Sequence, residues 1–202
     1  MPFSYRQLIS IVLLLFLTGC SLKPKIPETA ASLAPAQREQ QLNAMQQFTL
    51  QAAMNVKSPA ESITGSLRWQ QLSAETYQAR LANMLGISLF ELRQAQGITE
   101  LQVRGERYQA ADPSSLLWQL AGWSIPLHDM ALWLRGLPGD TATEQQYDNA
   151  GRLVRFTLID STGIRWQLSY QSFFNDPLAL PRVLQLQSED TQIRLVIRSW
   201  QP

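Results

Sequence analysis

Three groups of residues carry side chains that could do chemistry. Cys20 is the sole cysteine and closes the stretch Leu17-Thr18-Gly19-Cys20. A lone cysteine excludes an intramolecular disulfide and a multi-cysteine metal site. His128, the sole histidine, stands beside Asp129. It falls in the first turn of an expected helix, with no nucleophile that it could serve as general base. Glu189-Asp190 falls in an expected turn, where a carboxylate pair reads as solvating charge and not as a hydrolytic pair. No glycine-rich phosphate loop, G-x-S-x-G elbow or His/Cys metal spacing occurs. The expectation is a protein that is not an enzyme, with no cofactor and no metal.

Composition agrees. The 202 residues are 45% hydrophobic and 16% charged, with a formal net charge of +1. That hydrophobic share suits a globular core, and the even charge balance is unlike that of a nucleic-acid binder.

The position of Cys20 gives it a meaning. One basic residue, Arg6, precedes the apolar run Leu8–Leu17. Ten residues cannot cross a hydrocarbon core that needs about 20 as a helix, so the run reads as an export signal. Leu17-Thr18-Gly19-Cys20 then resembles the bacterial lipobox, whose cysteine receives a diacylglycerol before cleavage. Residues 1–19 are the expected signal peptide and Cys20 the expected lipid anchor. Residues 20–35, rich in proline, lysine and small residues, read as a tether able to reach roughly 45 Å at about 3.3 Å per residue. Residues 36–202 form the expected folded domain.

The domain begins with a helix-favouring stretch at 36–42. Period-two alternation follows at Ile63/Gly65/Leu67/Trp69, at Ile164/Trp166/Leu168/Tyr170 and at Ile193/Leu195/Ile197. Such alternation marks antiparallel sheet with one wet face. Further strands are expected near 47–56, 76–83, 87–95, 98–104, 152–160 and 182–187. One region breaks the rhythm. Asp112-Pro113 is a helix start and Gly122 a helix stop, and a second helix is expected to open at Pro126 and end before Gly136. Met130–Leu134 is apolar all round, which calls for burial on most sides. The expected architecture is mainly β: an open, strongly curved antiparallel half-barrel with helices packed in its concave side.

Two apolar features remain. Trp69, Leu116, Trp118, Met130, Trp133 and Trp166 are expected to line a cavity between sheet and helices, a setting that suits acyl chains. The hairpin tip Asn83-Met84-Leu85-Gly86 places Met84 and Leu85 where a tight turn normally has polar residues. Either the tip folds over the core, or it is an apolar finger for a membrane or partner.

The stretches Gly122-Trp123-Ser124-Ile125-Pro126-Leu127 and Leu132-Trp133-Leu134-Arg135-Gly136-Leu137-Pro138-Gly139-Asp140, with the lipobox and the Asn-x-Leu-Gly tip, resemble the LolB family of outer-membrane lipoprotein receptors. The family often has proline where this chain has Met84. The resemblance implies a lipid-anchored, monomeric protein on the periplasmic face of the outer membrane. It would accept lipoprotein cargo from the periplasmic carrier LolA, holding the acyl chains in an apolar cavity, and insert that cargo into outer-membrane lipid. A lipid-anchored scaffold for an envelope assembly partner is the alternative, followed by a lipid hydrolase.

Overall fold

The structure is a computed structural model that describes residues 33–103 and 105–202. The expected signal peptide, Cys20 and most of the expected tether lie outside the described residues.

The described residues open with helix α1 (Pro35–Ala44), which takes in the last residue assigned to the tether. Strands β1 (Phe48–Lys57), β2 (Ser62–Gln71), β3 (Tyr77–Ala82), β4 (Ser88–Ala95), β5 (Ile98–Val103) and β6 (Glu106–Ala110) follow. Helices α2 (Pro113–Ala121) and α3 (Met130–Leu134) come next. The chain ends with β7 (Thr143–Tyr147), β8 (Leu153–Ile159), β9 (Arg165–Phe173), β10 (Pro181–Gln187) and β11 (Gln192–Gln201). All eleven strands form one sheet in the order β6-β5-β4-β3-β2-β1-β11-β10-β9-β8-β7. Every neighbouring pair is antiparallel.

The first and last strands in that order do not pair, so the sheet is open. It nevertheless curls. Ser161, in the turn after β8, donates its hydroxyl to both Asp112 carboxylate oxygens at 2.9 and 2.8 Å, and Asp112 lies two residues past the end of β6. Strands β6 and β8 would stand about 43 Å apart across a flat sheet at about 4.8 Å per strand. Curvature closes that distance, and the helices fill the hollow.

Alternation decides which face is inside. In β1 the residues Phe48, Leu50, Ala52, Met54 and Val56 are buried, and their partners in β2 and β11 follow the same beat. Gly65 is needed here, because a Cβ would stand 2.5 Å from the Ala82 carbonyl oxygen. One apolar cluster joins the inner face to α2 and α3, and a smaller one gathers Leu42, Leu137 and Leu180 beneath α1.

Helix α2 starts and stops where its sequence directs. The Asp112 carboxylate accepts from the Ser114 and Ser115 amides, and Gly122 ends the helix at φ 73°. The second helix is shorter than expected. Residues 126–129 are not helical, because distant side chains take their backbone groups. The Pro126 carbonyl accepts from Trp133 Nε1 at 3.1 Å, and the Leu127 amide donates to Ser114 Oγ at 3.2 Å. Strands β6 and β7 were not expected; they are the polar edges of the sheet.

Candidate functional site

The hollow of the sheet is apolar and almost full. Trp69 stacks on Tyr77 with ring centroids 4.3 Å apart, and its indole donates to Gln71 Oε1 at 2.9 Å. Above this pair Met54, Leu67, Leu92 and Leu101 of the sheet face Leu117, Ile125, Leu127 and Met130 of the helical segment. The space between them measures about 10 Å³, roughly the room of one water. Its wall carries no polar surface.

A second hollow lies next to it and opens to solvent. This groove, of about 200 Å³, is walled by Ile63, Leu89, Val103, Leu120 and Trp123, with the Glu61 carboxylate at its edge. Phe90 and Leu117 belong to both walls. Two side chains thus divide an open groove from a closed interior.

Four of the six residues expected in the cavity stand elsewhere. Trp69 and Met130 are in its wall. Trp133 and Trp166 are fully buried in the packed core, their indoles held by the Pro126 carbonyl and by Asp160 Oδ2. Leu116 is buried outside the cavity wall, and its neighbour Leu117 takes the place expected of it. Trp118 is a correction, for it is 52% exposed and faces solvent. The buried arc of α2 runs through Pro113, Ser114, Leu116 and Leu117, and Trp118 falls just outside it. Of the wall residues that sequence reasoning missed, Leu92 and Leu101 sit on the apolar beat of β4 and β5. Phe90 shares the beat of Leu92 in β4, whereas Leu117 carries no local mark.

The groove begins near the hairpin tip, since Ser88 and Leu89 follow it after Ile87. Met84 is 92% and Leu85 83% exposed, so the tip does not fold over the core. Its shape is fixed by Asn83. The Asn83 carboxamide oxygen accepts from the Leu85 and Ile87 amides, each at 3.0 Å, and Gly86 supplies φ 79°. A rigid turn therefore holds two large apolar side chains in water beside an apolar groove.

The segment after α3 is a structural joint. The Gly136 amide donates to the Trp133 carbonyl and the Leu137 amide to that of Leu132, with Gly136 at φ 84°. This pair of bonds is the left-handed helix stop that favours glycine. The buried Arg135 then reaches back to α1, donating to the Leu42 and Met45 carbonyls at 2.8 and 2.6 Å. Burial lowers its pKa from the ordinary arginine value. Arg38 pins the other side of α1 to the Leu178 and Ala179 carbonyls. Gly139 lies so close to Asp129 that a Cβ would stand 2.1 Å from Asp129 Oδ2. His128 is exposed, 3.8 Å from Asp129 Oδ1. Among the described residues no cluster could hold a metal ion, and no helix is long and apolar enough to cross a membrane.

Residues 46–200 match the family model described as outer membrane lipoprotein LolB. This chain belongs to the LolB family. The outer-membrane lipoprotein LolB of Sodalis glossinidius is 33% identical to it over 92% of this chain and 91% of its own length. That of Yersinia enterocolitica is 32% identical over 98% and 96%. Among solved structures, a LolA superfamily protein from Nitrosomonas europaea overlays with a TM-score of 0.53 at 9% identity. It covers 84% of this chain and 94% of that one. This chain thus shares its fold with a LolA superfamily protein.

Proposed function

We propose that this LolB-family protein accepts lipoproteins from the periplasmic carrier LolA and inserts them into the outer membrane. In this reading Cys20 holds the protein to the periplasmic face of that membrane by its lipid. The tether lets the domain move at the surface. The protein is not an enzyme. It transfers cargo by offering the acyl chains successive apolar surroundings.

The observation that carries the reading is the shared wall of Phe90 and Leu117. The interior as it stands is too small for an acyl chain, whereas ligand sites run to about 300–1,000 Å³. The open groove is the first station, and displacement of α2 away from β4 and β5 admits the chain to the interior. Such a displacement separates apolar surfaces, so an empty cavity closes again and a filled one stays open. Acyl burial supplies the driving force at about 25 cal/mol per Å² without demanding directional bonds. Because the groove starts beside Met84 and Leu85, a chain leaving it emerges where those side chains enter lipid.

Transfer of a labelled lipoprotein from purified carrier to the mature lipidated protein tests this reading. Movement of cargo in one direction, without hydrolysis of its acyl chains, is expected. Retention on the carrier would leave the scaffold alternative standing, and released fatty acid would favour the hydrolase.

A further inference from the structure

The hairpin that carries the finger has a second feature, on the outer face of the sheet. Arg68 of β2 lies directly opposite Arg80 of β3. Like charges in that position repel. Arg93 of β4 stands one row further from the tip, opposite Gln78. With Gln70, Gln78 and Glu91 these three arginines line a groove of about 190 Å³. Glu91 answers one of the charges, at 3.1 Å from Arg80 Nε. No ion pair joins Arg68 or Arg93 to a carboxylate among the described residues. Glu100 of β5 stands opposite Arg93 but is drawn to Arg107, at 3.6 Å, so the groove is a concave surface with two guanidiniums outside any ion pair and two amide donors. That set matches a phosphate oxyanion, which guanidinium recognises through paired hydrogen bonds.

Its place points to the source of the phosphate. Arg80 Nη2 donates to the Gly86 carbonyl of the tip at 3.1 Å. The Arg80 guanidinium therefore sits at the base of the finger. When Met84 and Leu85 enter the acyl region, Arg80 stands at headgroup depth, with Arg68 level and Arg93 just above. We propose that this groove takes the phosphate of an anionic phospholipid headgroup and steadies the finger in the membrane. The inference rests on the finger entering lipid, as argued above. It adds a second, polar point of contact to an apolar one.

The lipidated protein is the material for the test. With Cys20 acylated, Met84→Cys provides a single free thiol for a polarity-sensitive dye. The protein is reconstituted in phosphatidylcholine vesicles, with and without phosphatidylglycerol, at low salt. Dye transfer from water into lipid should be favoured by phosphatidylglycerol, and the preference should fall about fivefold for each arginine removed. Arg68→Gln/Arg93→Gln is the variant of choice because Arg80 keeps its bond to the turn. Glu91→Gln should strengthen the preference. Equal response of the double variant and the parent to phosphatidylglycerol would overturn the proposal. So would loss of the parent's preference in millimolar inorganic phosphate at fixed ionic strength, which would make the groove a site for the free anion. A dye that stays in water on every vesicle contradicts the finger itself. A dye that enters both kinds equally contradicts the groove alone.

Discussion

The indole nitrogen of Trp123 donates to Glu61 Oε1 at 2.8 Å, joining the segment just past the Gly122 cap of α2 to the turn between β1 and β2. Both residues stand at the groove, so this bond fastens the helix end that must move if groove and interior are to become one. Glu61→Ala should cost about 1.5–3 kcal/mol of stability, the loss of one hydrogen bond to a charged acceptor. Uptake of a fluorescent acyl probe should become faster. Stopped-flow uptake beside urea unfolding checks both, and unchanged uptake in a destabilised variant would show that this end of α2 does not gate the interior.

The other end of α2 is fastened by Asp112. Partial burial works to raise the pKa of its carboxyl. Hydrogen bonds from the Ser115 and Ser161 hydroxyls and from the Ser115 and Ser114 amides outweigh that effect and hold the pKa below the ordinary aspartate value. A group depressed in this way stabilises the fold above its unfolded pKa, near 3.9. That contribution is lost as the pH falls through the lower folded value. Asp112→Ala should cost about 1 kcal/mol at neutral pH, the usual effect of losing a helix cap. The gap between parent and variant should shrink below about pH 4. Denaturant unfolding across a pH series measures it; a gap that is constant with pH contradicts the role of the ionised carboxylate.

Tyr77 has a buried hydroxyl with no hydrogen-bond partner among the described residues. Burial also pushes its pKa well above the ordinary tyrosine value. Tyr77→Phe keeps the stacking on Trp69 and removes the unsatisfied group. The variant should be more stable by about 1 kcal/mol. A shift of the unfolding midpoint to lower denaturant would contradict this account of the Trp69–Tyr77 pair.

These residues also show what a sequence can say. The inner strands are legible because their two faces differ, and alternation records the difference. Strands β6 and β7 are the sheet's edges and largely wet on both faces, so Glu106–Ala110 and Thr143–Tyr147 carry no apolar beat. The start of α2 is legible because Asp112 caps its own helix. The start of α3 is not, because Ser114 and Trp133 claim the backbone of residues 126–127 from a distance. Trp118 misleads for a related reason. A helix so apolar does not reveal which arc faces in, and the large side chain falls on the wet arc. The finger at Met84 and Leu85 stands out in the sequence by its type. Its exposure is settled by the Asn83 turn.

Gly139→Ala separates a structural motif from a functional one. The added methyl would press on Asp129 Oδ2, so the loop or α3 must shift, at a cost of about 1–3 kcal/mol. Asp140 is exposed, and Asp140→Asn should leave thermal unfolding unchanged. Equal stability of Gly139→Ala and the parent would mean that the Gly-Leu-Pro-Gly-Asp segment is not the tight joint described.

Leu85→Glu addresses delivery. The side chain is 83% exposed, so the fold should lose almost nothing. Entry of a leucine into lipid is worth roughly 1.5–3 kcal/mol, and a glutamate forfeits it. Acceptance of cargo from the carrier should stay near that of the parent while insertion into liposomes slows about tenfold or more. Parent-like insertion would exclude the finger from delivery.

The central claim is that cargo acyl chains enter the space between the sheet and α2. A lipoprotein bearing a photoreactive group at the end of one acyl chain, loaded from the carrier and irradiated, reads that position directly by peptide mass spectrometry. The account predicts adducts on Leu92, Leu101, Leu117 and Ile125, with Phe90 labelled by shorter chains. Adducts confined to exposed residues such as Trp118, or to the outer face of the sheet, would contradict it.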